Sequence, residues 1–156
     1  MCSCLRRFWP FALMLAVFTL DLLSKEWILA FFRAGRLPVE MTSFFHLALV
    51  FNRGATFGLL NNGSVTVFWG LTAIVAVVIG FLVRWLLREQ SPFTRTALAL
   101  IIGGALGNLY DRLFRGAVVD FLDFFWHDYH WPAFNVADTS IVIGVILLTL
   151  KTVKER

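Results

Sequence analysis

VVDFLDFFWHDYHWPAFNVAD, residues 118–138, is the stretch on which the reading of this chain turns. An aromatic, Pro-containing segment has Asp120 near one end and Asp138 at the other, inside a sequence that is otherwise mostly apolar. An ionisable side chain near hydrocarbon costs several kcal/mol unless it is paired or wetted. Neither acid has a basic residue three or four positions away, and the apolar neighbours of each would strip water from it. Two such acids, spaced so that a fold can bring them together, call for a chemical reason.

Working outward, the chain has 156 residues, 59% hydrophobic and 15% charged, with a mean hydropathy of +0.77. That composition excludes an ordinary soluble domain, and the length leaves room for only a few membrane spans. A single integral-membrane domain, mainly α and covering residues 1–156, is the expected class. The net charge of +4 and pI near 9.6 do not point to nucleic acid, because the bases cluster at the ends of apolar runs.

Crossing ~30 Å of hydrocarbon takes about 20 helical residues. Four segments come close to this: 8–31, 65–83, 96–113 and 134–150. Arg6, Arg7, Arg84, Arg88, Arg95, Lys151, Lys154 and Arg156 fall on one side of these spans, whereas Arg33, Arg36, Arg53, Arg112 and Arg115 are spread over longer loops on the other. Both termini are therefore expected in the cytoplasm, with outer loops at 33–64 and 114–133. Arg6 and Arg7 before an apolar run resemble a secretory leader, but no small-x-small site follows and Asp21, Lys25 and Glu26 interrupt the far end. The first span is expected to stay uncleaved. Cys2 and Cys4 then lie on the cytoplasmic side, where neither a disulfide nor a metal site is expected of them.

The first outer loop carries the alternating run FHLALVFN (45–52), followed by Gly54, Gly58 and Gly63 up to Ser64. This predicts short strands or a small sheet at the membrane surface. Trp126, Tyr129 and Trp131 in the second outer loop suit the interface, where an amphipathic ring is comfortable. His46, His127 and His130 are scattered over two loops without a helical i, i+4 pair. They do not read as a zinc site, and neither a metal nor a cofactor is expected. There is no internal repeat and no low-complexity segment.

A depth count adds to this. Arg7 to Asp21 is 14 residues, and Arg95 to Asn108 and Lys151 back to Asp138 are 13 each. At ~1.5 Å per residue all three polar side chains sit about 20 Å from the cytoplasmic end of their spans. Three helices thus carry a polar group at one level, ~10 Å beneath the outer surface of a ~30 Å core. Interhelical hydrogen bonding is one use for such a layer. Asp21 with Lys25 four residues on fits a structural pair, Asp111 beside Arg112 reads the same way, and Asp123 and Asp128 read as solvated loop acids. Asp120 and Asp138 resist that treatment. Two close carboxylates sharing one proton titrate as a pair, so one can draw a proton from water while the other donates to a carbonyl oxygen. That is the chemistry of peptide-bond hydrolysis without metal or covalent intermediate.

FNRGATFG (51–58), GGALGNLYDRLFRGAVVDFLDF (103–124) and FNVADTSI (134–141), with Asp21 and Lys25 in the first span, closely resemble the lipoprotein signal peptidases, or signal peptidase II family. The resemblance runs in order over nearly the whole chain. It implies four transmembrane helices, an extracytoplasmic β-cradle and a short periplasmic helix. It also implies a bacterial inner-membrane aspartic endopeptidase that cuts prolipoproteins before a diacylglyceryl-modified cysteine, with the active site near the outer face. Carried over by position, Asp120 and Asp138 match the catalytic aspartates. Asn52, Gly54, Asn108, Arg112 and Asn135 match substrate-contacting or site-supporting positions, and Asp111, Asp21 and Lys25 match polar positions that hold the site together. The implied partners are the lipidated substrate and membrane lipid, and the enzyme is expected to be a monomer. The chain departs from the usual pattern at Leu22, Thr56 and Tyr110, away from the two aspartates. The 121–134 segment is a candidate lid. The competing classes are a small proton-coupled transporter, for which an inverted repeat and discontinuous helices are missing, and a non-enzymatic membrane assembly factor. A presenilin-like protease is disfavoured because Tyr110-Asp111 lacks a GxGD string to go with it.

Overall fold

The computed structural model describes residues 2–33, 35, 38–54 and 65–154, with side chains from residue 8 onward. The side chains of Cys2, Cys4, Arg6 and Arg7, and residues Arg36, Thr56, Gly58, Gly63, Ser64 and Arg156, lie outside the described residues. In chain order the elements are α1 (Cys2–Arg33), β1 (Val39–Thr42), β2 (Phe45–Asn52), α2 (Val65–Arg88), α3 (Pro92–Arg115), β3 (Val118–Trp126), β4 (Tyr129–His130) and α4 (Val136–Lys154). Each helix contains one of the expected apolar segments, except that α4 begins two residues later than its segment, at Val136. The helices run past the apolar cores because backbone hydrogen bonding continues into the polar flanks. α2, α3 and α4 are long and apolar enough to cross a membrane. α1 is longer still but carries Asp21, Lys25 and Glu26 in its second half.

α3 is the central helix, packed against α1, α2 and α4. Its ends are set locally. Ser91 caps the N-terminus with Pro92 in the first turn, where a missing N–H costs nothing, and Gly116 closes the C-terminus at φ 73°. Its small residues let the neighbouring backbones approach closely. A Cβ at Gly104 would press on the Ala137 carbonyl of α4, and one at Gly107 would press on the Asp21 carboxylate of α1. Without a hydrophobic force between helices in lipid, this close fit is what drives them together. On the α2 side, Ile79 and Leu86 pack with Leu98, Ile102 and Ala105, while Ile74, Val77 and Phe81 stay exposed. An apolar outer face of that kind suits a helix meeting lipid.

The four strands form one antiparallel sheet in the order β1-β2-β3-β4. Strand β2 coincides with the alternating run 45–52, whereas β1 at 39–42 and the strand at 118–126 have no such pattern to announce them. Val118–Trp126 is rich in β-branched and aromatic residues and finds the open edge of β2. The register is Asn52↔Val118 and Val50↔Asp120, then shifts so that Leu47↔Leu122. One extra residue in β2 makes a bulge between Leu47 and Val50, next to Asp120 on β3. β3 and β4 are joined through His127 and Asp128, with His127 at φ 53°. No short helix appears outside α1–α4 among the described residues.

The chain after β4 folds back on β3. Phe134 donates to the Leu122 carbonyl at 3.0 Å and accepts from Phe121 and Leu122 at 3.0 and 2.8 Å. The 121–134 segment is therefore a β3–β4 hairpin loop pinned at its base, which sets Asn135 beside Asp120.

Candidate active site

Asp120 and Asp138 line the same cavity, about 600 Å³ in volume. Asp120 reaches it from β3 and Asp138 from the first turn of α4. Asn135 connects them. It caps α4 by accepting from the Asp138 N–H at 2.9 Å, and Asp138 accepts in return from the Asn135 N–H at 3.2 Å. This is a reciprocal capping box written with Asn and Asp. The Asn135 side-chain amide then donates to Asp120 Oδ1 at 2.7 Å and lies 3.1 Å from Asn108 Oδ1 and 3.3 Å from the Val119 carbonyl. Two amide hydrogens serve three acceptors there, so one bond is shared.

The remaining carboxylate oxygens are also held by amides. Asn52, at the end of β2, donates to Asp120 Oδ2 at 3.0 Å, and Asn108 of α3 donates to Asp138 Oδ1 at 2.7 Å. Asn52 is itself oriented by accepting from the Gly54 N–H at 2.9 Å. Gly54 sits at φ +97°, and a Cβ there would also meet Leu71 at 2.9 Å. A side chain at 54 would thus strain the turn that aims Asn52. Arg112 completes the polar wall of the cavity, its guanidinium 3.4 Å from the Asn108 carbonyl.

Asp120 is 2% exposed. Burial pushes its carboxyl up to about 6; the nearby Asp138 charge adds to this, and the amides of Asn52 and Asn135 oppose it. Trp131, Pro132, Ala133 and Phe134 form one side of the cavity, and Thr139, Val142 and Ile143 of α4 form another.

A second polar cluster lies behind this one. Lys25 of α1 is fully buried and donates to Asp21 at 2.6 Å, Asp111 at 2.9 Å and Asn108 at 3.1 Å. All three ammonium hydrogens are used. Asp21 also accepts from the Ala137 N–H at 2.9 Å, and Asp111 from the Val119 N–H at 3.1 Å. The cluster therefore fixes the residues next to Asp120 and Asp138. The polar level counted along the sequence does converge, through Lys25 and Asn108.

Some expectations change. Asp111 does not pair with Arg112. It pairs with Lys25 and with Arg115, which in turn bonds Glu26 at 2.6 Å. Successive helix residues point to different sides, and the i, i+4 partner Arg115 is the one within reach. Arg115 and Glu26 were not foreseen, although the Asp111/Arg115 spacing was the available signal. Asp123 is not a solvated loop acid: it lies on β3, largely buried, and bonds His130 at 2.9 and 3.0 Å. His46 and His130, expected far apart, come together beside it, whereas His127 sits in the turn. Tyr110, one of the departures from the usual pattern, packs edge-on to Phe18, and Leu22 is half-buried.

Known proteins resemble this chain throughout its length. The profile of the Peptidase_A8 family, signal peptidase (SPase) II, matches residues 13–154. A lipoprotein signal peptidase of Pseudoalteromonas atlantica is 42% identical, over 99% of this chain and 93% of that protein. One from Aeromonas hydrophila is 44% identical, over 95% of this chain and 88% of its own length. A solved structure described as a bacterial membrane enzyme aligns with a TM-score of 0.78 at 30% identity, covering 94% of each chain. Another, described in the same words, gives 0.73 at 31% identity, over 94% of this chain and 88% of that one. By sequence and fold, the chain belongs to the signal peptidase II family.

Proposed function

We propose that this membrane aspartic peptidase cleaves lipoprotein signal peptides with Asp120 and Asp138 as its catalytic pair. The observation that carries the reading is the Asn135 bridge: one residue holds both carboxylates, at one cavity, with no cation hydrogen-bonded to either among the described residues. Asp120, the more buried and with its carboxyl raised, is assigned the shared proton. Asp138 takes a proton from a water placed between them, and that water attacks the scissile carbonyl. Asp120 donates to the developing oxyanion, and the proton Asp138 has gained passes to the leaving amine. Asn52, Asn108 and Asn135 keep each oxygen in place through the cycle, and Arg112 faces the substrate chain. Asp21, Lys25 and Asp111 brace the floor, and Gly54 sets the turn.

The reading extends to topology. α1 joins α2, α3 and α4 in crossing the inner membrane of a bacterium, with both termini cytoplasmic, and the sheet is the extracytoplasmic β-cradle at the outer face. α1 supports this with exposed Leu15, Leu20, Leu23 and Trp27. Val142 and Ile143 are cavity residues that are also about half exposed on α4, so the cavity is open toward lipid. A signal peptide can enter sideways there, with its diacylglyceryl chains along the helices. The 121–134 loop covers the site, as its Trp131–Phe134 wall suggests, and a monomer contains every residue named.

The test is cleavage of a diacylglyceryl prolipoprotein by purified Asp120→Asn and Asp138→Asn proteins. Both are expected to be inactive, and retained turnover in either overturns the pair. Shortening the 121–134 loop is expected to slow cleavage of full-length substrate; unchanged cleavage removes the lid role.

A further inference from the structure

The sheet holds a second constellation that shares no residue with the cavity. His46 on β2 and Asp123 on β3 are cross-strand partners, and His130 on β4 pairs with Phe125, two residues on from Asp123. Residues opposite each other or two apart on a strand share a face, so three adjacent strands project two imidazoles and a carboxylate to one side. The potential ligand atoms of these three residues all lie within 4.8 Å of one another. His130 Nδ1 is 2.9 Å and His46 Nδ1 3.8 Å from Asp123 Oδ2.

The His46 ring is incompletely satisfied. Its Nε2 is buried without a hydrogen-bond partner, and Glu40 Oε1 stands 3.7 Å away, beyond hydrogen-bond reach. A buried, unpartnered ring nitrogen in a native fold needs an explanation. A metal on Nδ1 supplies one: Nε2 then carries the proton and points it at Glu40, the outer carboxylate that metal-bound histidines commonly use to fix their tautomer.

We propose that His46, Asp123 and His130 bind a divalent transition-metal ion of the zinc class, with Glu40 as the hydrogen-bond acceptor behind His46. Bonds of ~2.0–2.1 Å space tetrahedral donors ~3.3 Å apart, so the carboxylate is within about half an ångström of that spacing from each imidazole, and the two imidazoles have at most about 1.5 Å to close on each other. Two imidazoles and one carboxylate suit zinc or its neighbours rather than calcium or magnesium. His130 is 49% exposed, so the fourth position opens to solvent and takes water. Bound metal ties β4 to β2 across β3, and so fixes the loop whose far end walls the cavity.

The experiment uses the full chain, purified in detergent, freed of its affinity tag and stripped with chelator. Zinc binding is followed by competition with a fluorescent chelator, and cobalt substitution by visible absorption. A single tight site is expected, with the intense visible bands of a low-symmetry cobalt centre. His46→Gln and His130→Gln each weaken zinc binding about tenfold or more, Glu40→Gln weakens it less, and Cys2→Ser/Cys4→Ser leaves it unchanged. Circular dichroism and thermal unfolding of the metal-free variants distinguish lost ligands from lost fold. Equal zinc affinity in a folded His46→Gln/His130→Gln double variant overturns the proposal. So does binding lost only with the cysteines.

Discussion

Two buried acid clusters lie back to back in this molecule, and their neighbours divide them. Asp21 and Asp111 meet a fully buried lysine, and Asp111 meets Arg115 as well. Among the described residues Asp120 and Asp138 are hydrogen-bonded by the amides of Asn52, Asn108 and Asn135 and by no cation, although the Arg112 guanidinium lines the same cavity. A cation neutralises an acid and locks it, because removing either partner leaves an uncompensated buried charge. An amide orients an acid without settling its protonation. The first arrangement braces helices, and the second leaves carboxyl groups free to exchange protons with a substrate.

The sharpest way to break this comparison is to remove a carboxylate from each side. Asp120→Asn or Asp138→Asn is expected to lower cleavage of a lipidated prolipoprotein by about a thousandfold or more while the protein stays folded, since acid–base groups commonly contribute 10²–10⁴-fold each. Circular dichroism with a turnover assay measures both. Lys25→Met is expected to do the reverse, costing ~3–5 kcal/mol of stability by stranding Asp21 and leaving Asp111 with Arg115 alone. Thermal unfolding in detergent reads this, and a variant as stable as the parent would erase the distinction between the clusters.

Asn135 belongs to the amide side but also caps a helix. Asn135→Ala is expected to cost ~1 kcal/mol of stability through the lost cap. Its larger effect, read as kcat at saturating substrate, is a loss of about a hundredfold from an unaligned pair. A loss of stability without loss of kcat would show that the bridge only caps α4.

The smallest expected effect is on pH dependence. Asp120 is raised from 3.8 to about 6, so the folded protein binds an extra proton between these values. Stability from this group is complete below about 4 and is lost as pH rises through about 6, an effect of order 1–3 kcal/mol. The stability difference between Asp120→Asn and the parent should therefore grow across that window in the variant's favour. A difference that stays flat with pH would mean that Asp120 is not desolvated.

The apolar segments, the strand at 45–52 and the polar level shared by Asp21, Asn108 and Asp138 are legible in the sequence, because hydropathy, alternation and helical rise are local properties. The lack of bases near Asp120 and Asp138 along the chain is legible too, but not that the fold brings Arg112 to the same cavity. Val118–Trp126 does not announce itself as a strand, because its strand character depends on a β2 edge that is remote in sequence. Asp111 was given the wrong arginine because adjacency in sequence is not adjacency on a helix. His46 and His130 looked scattered for the same kind of reason.

What the sequence determined by itself is therefore the inventory: which segments are apolar enough for lipid, which polar groups are embedded in them, and to which family the order of motifs belongs. The tertiary structure decided the partners. Only strand register and the Leu122–Phe134 pinning bring Asn135 to Asp120, and only the close approach of α1 to α3 at Gly107 lets Lys25 reach Asp111. Hydrogen bonds and ion pairs act over about 3 Å, a distance on which sequence separation carries no information until the chain has folded.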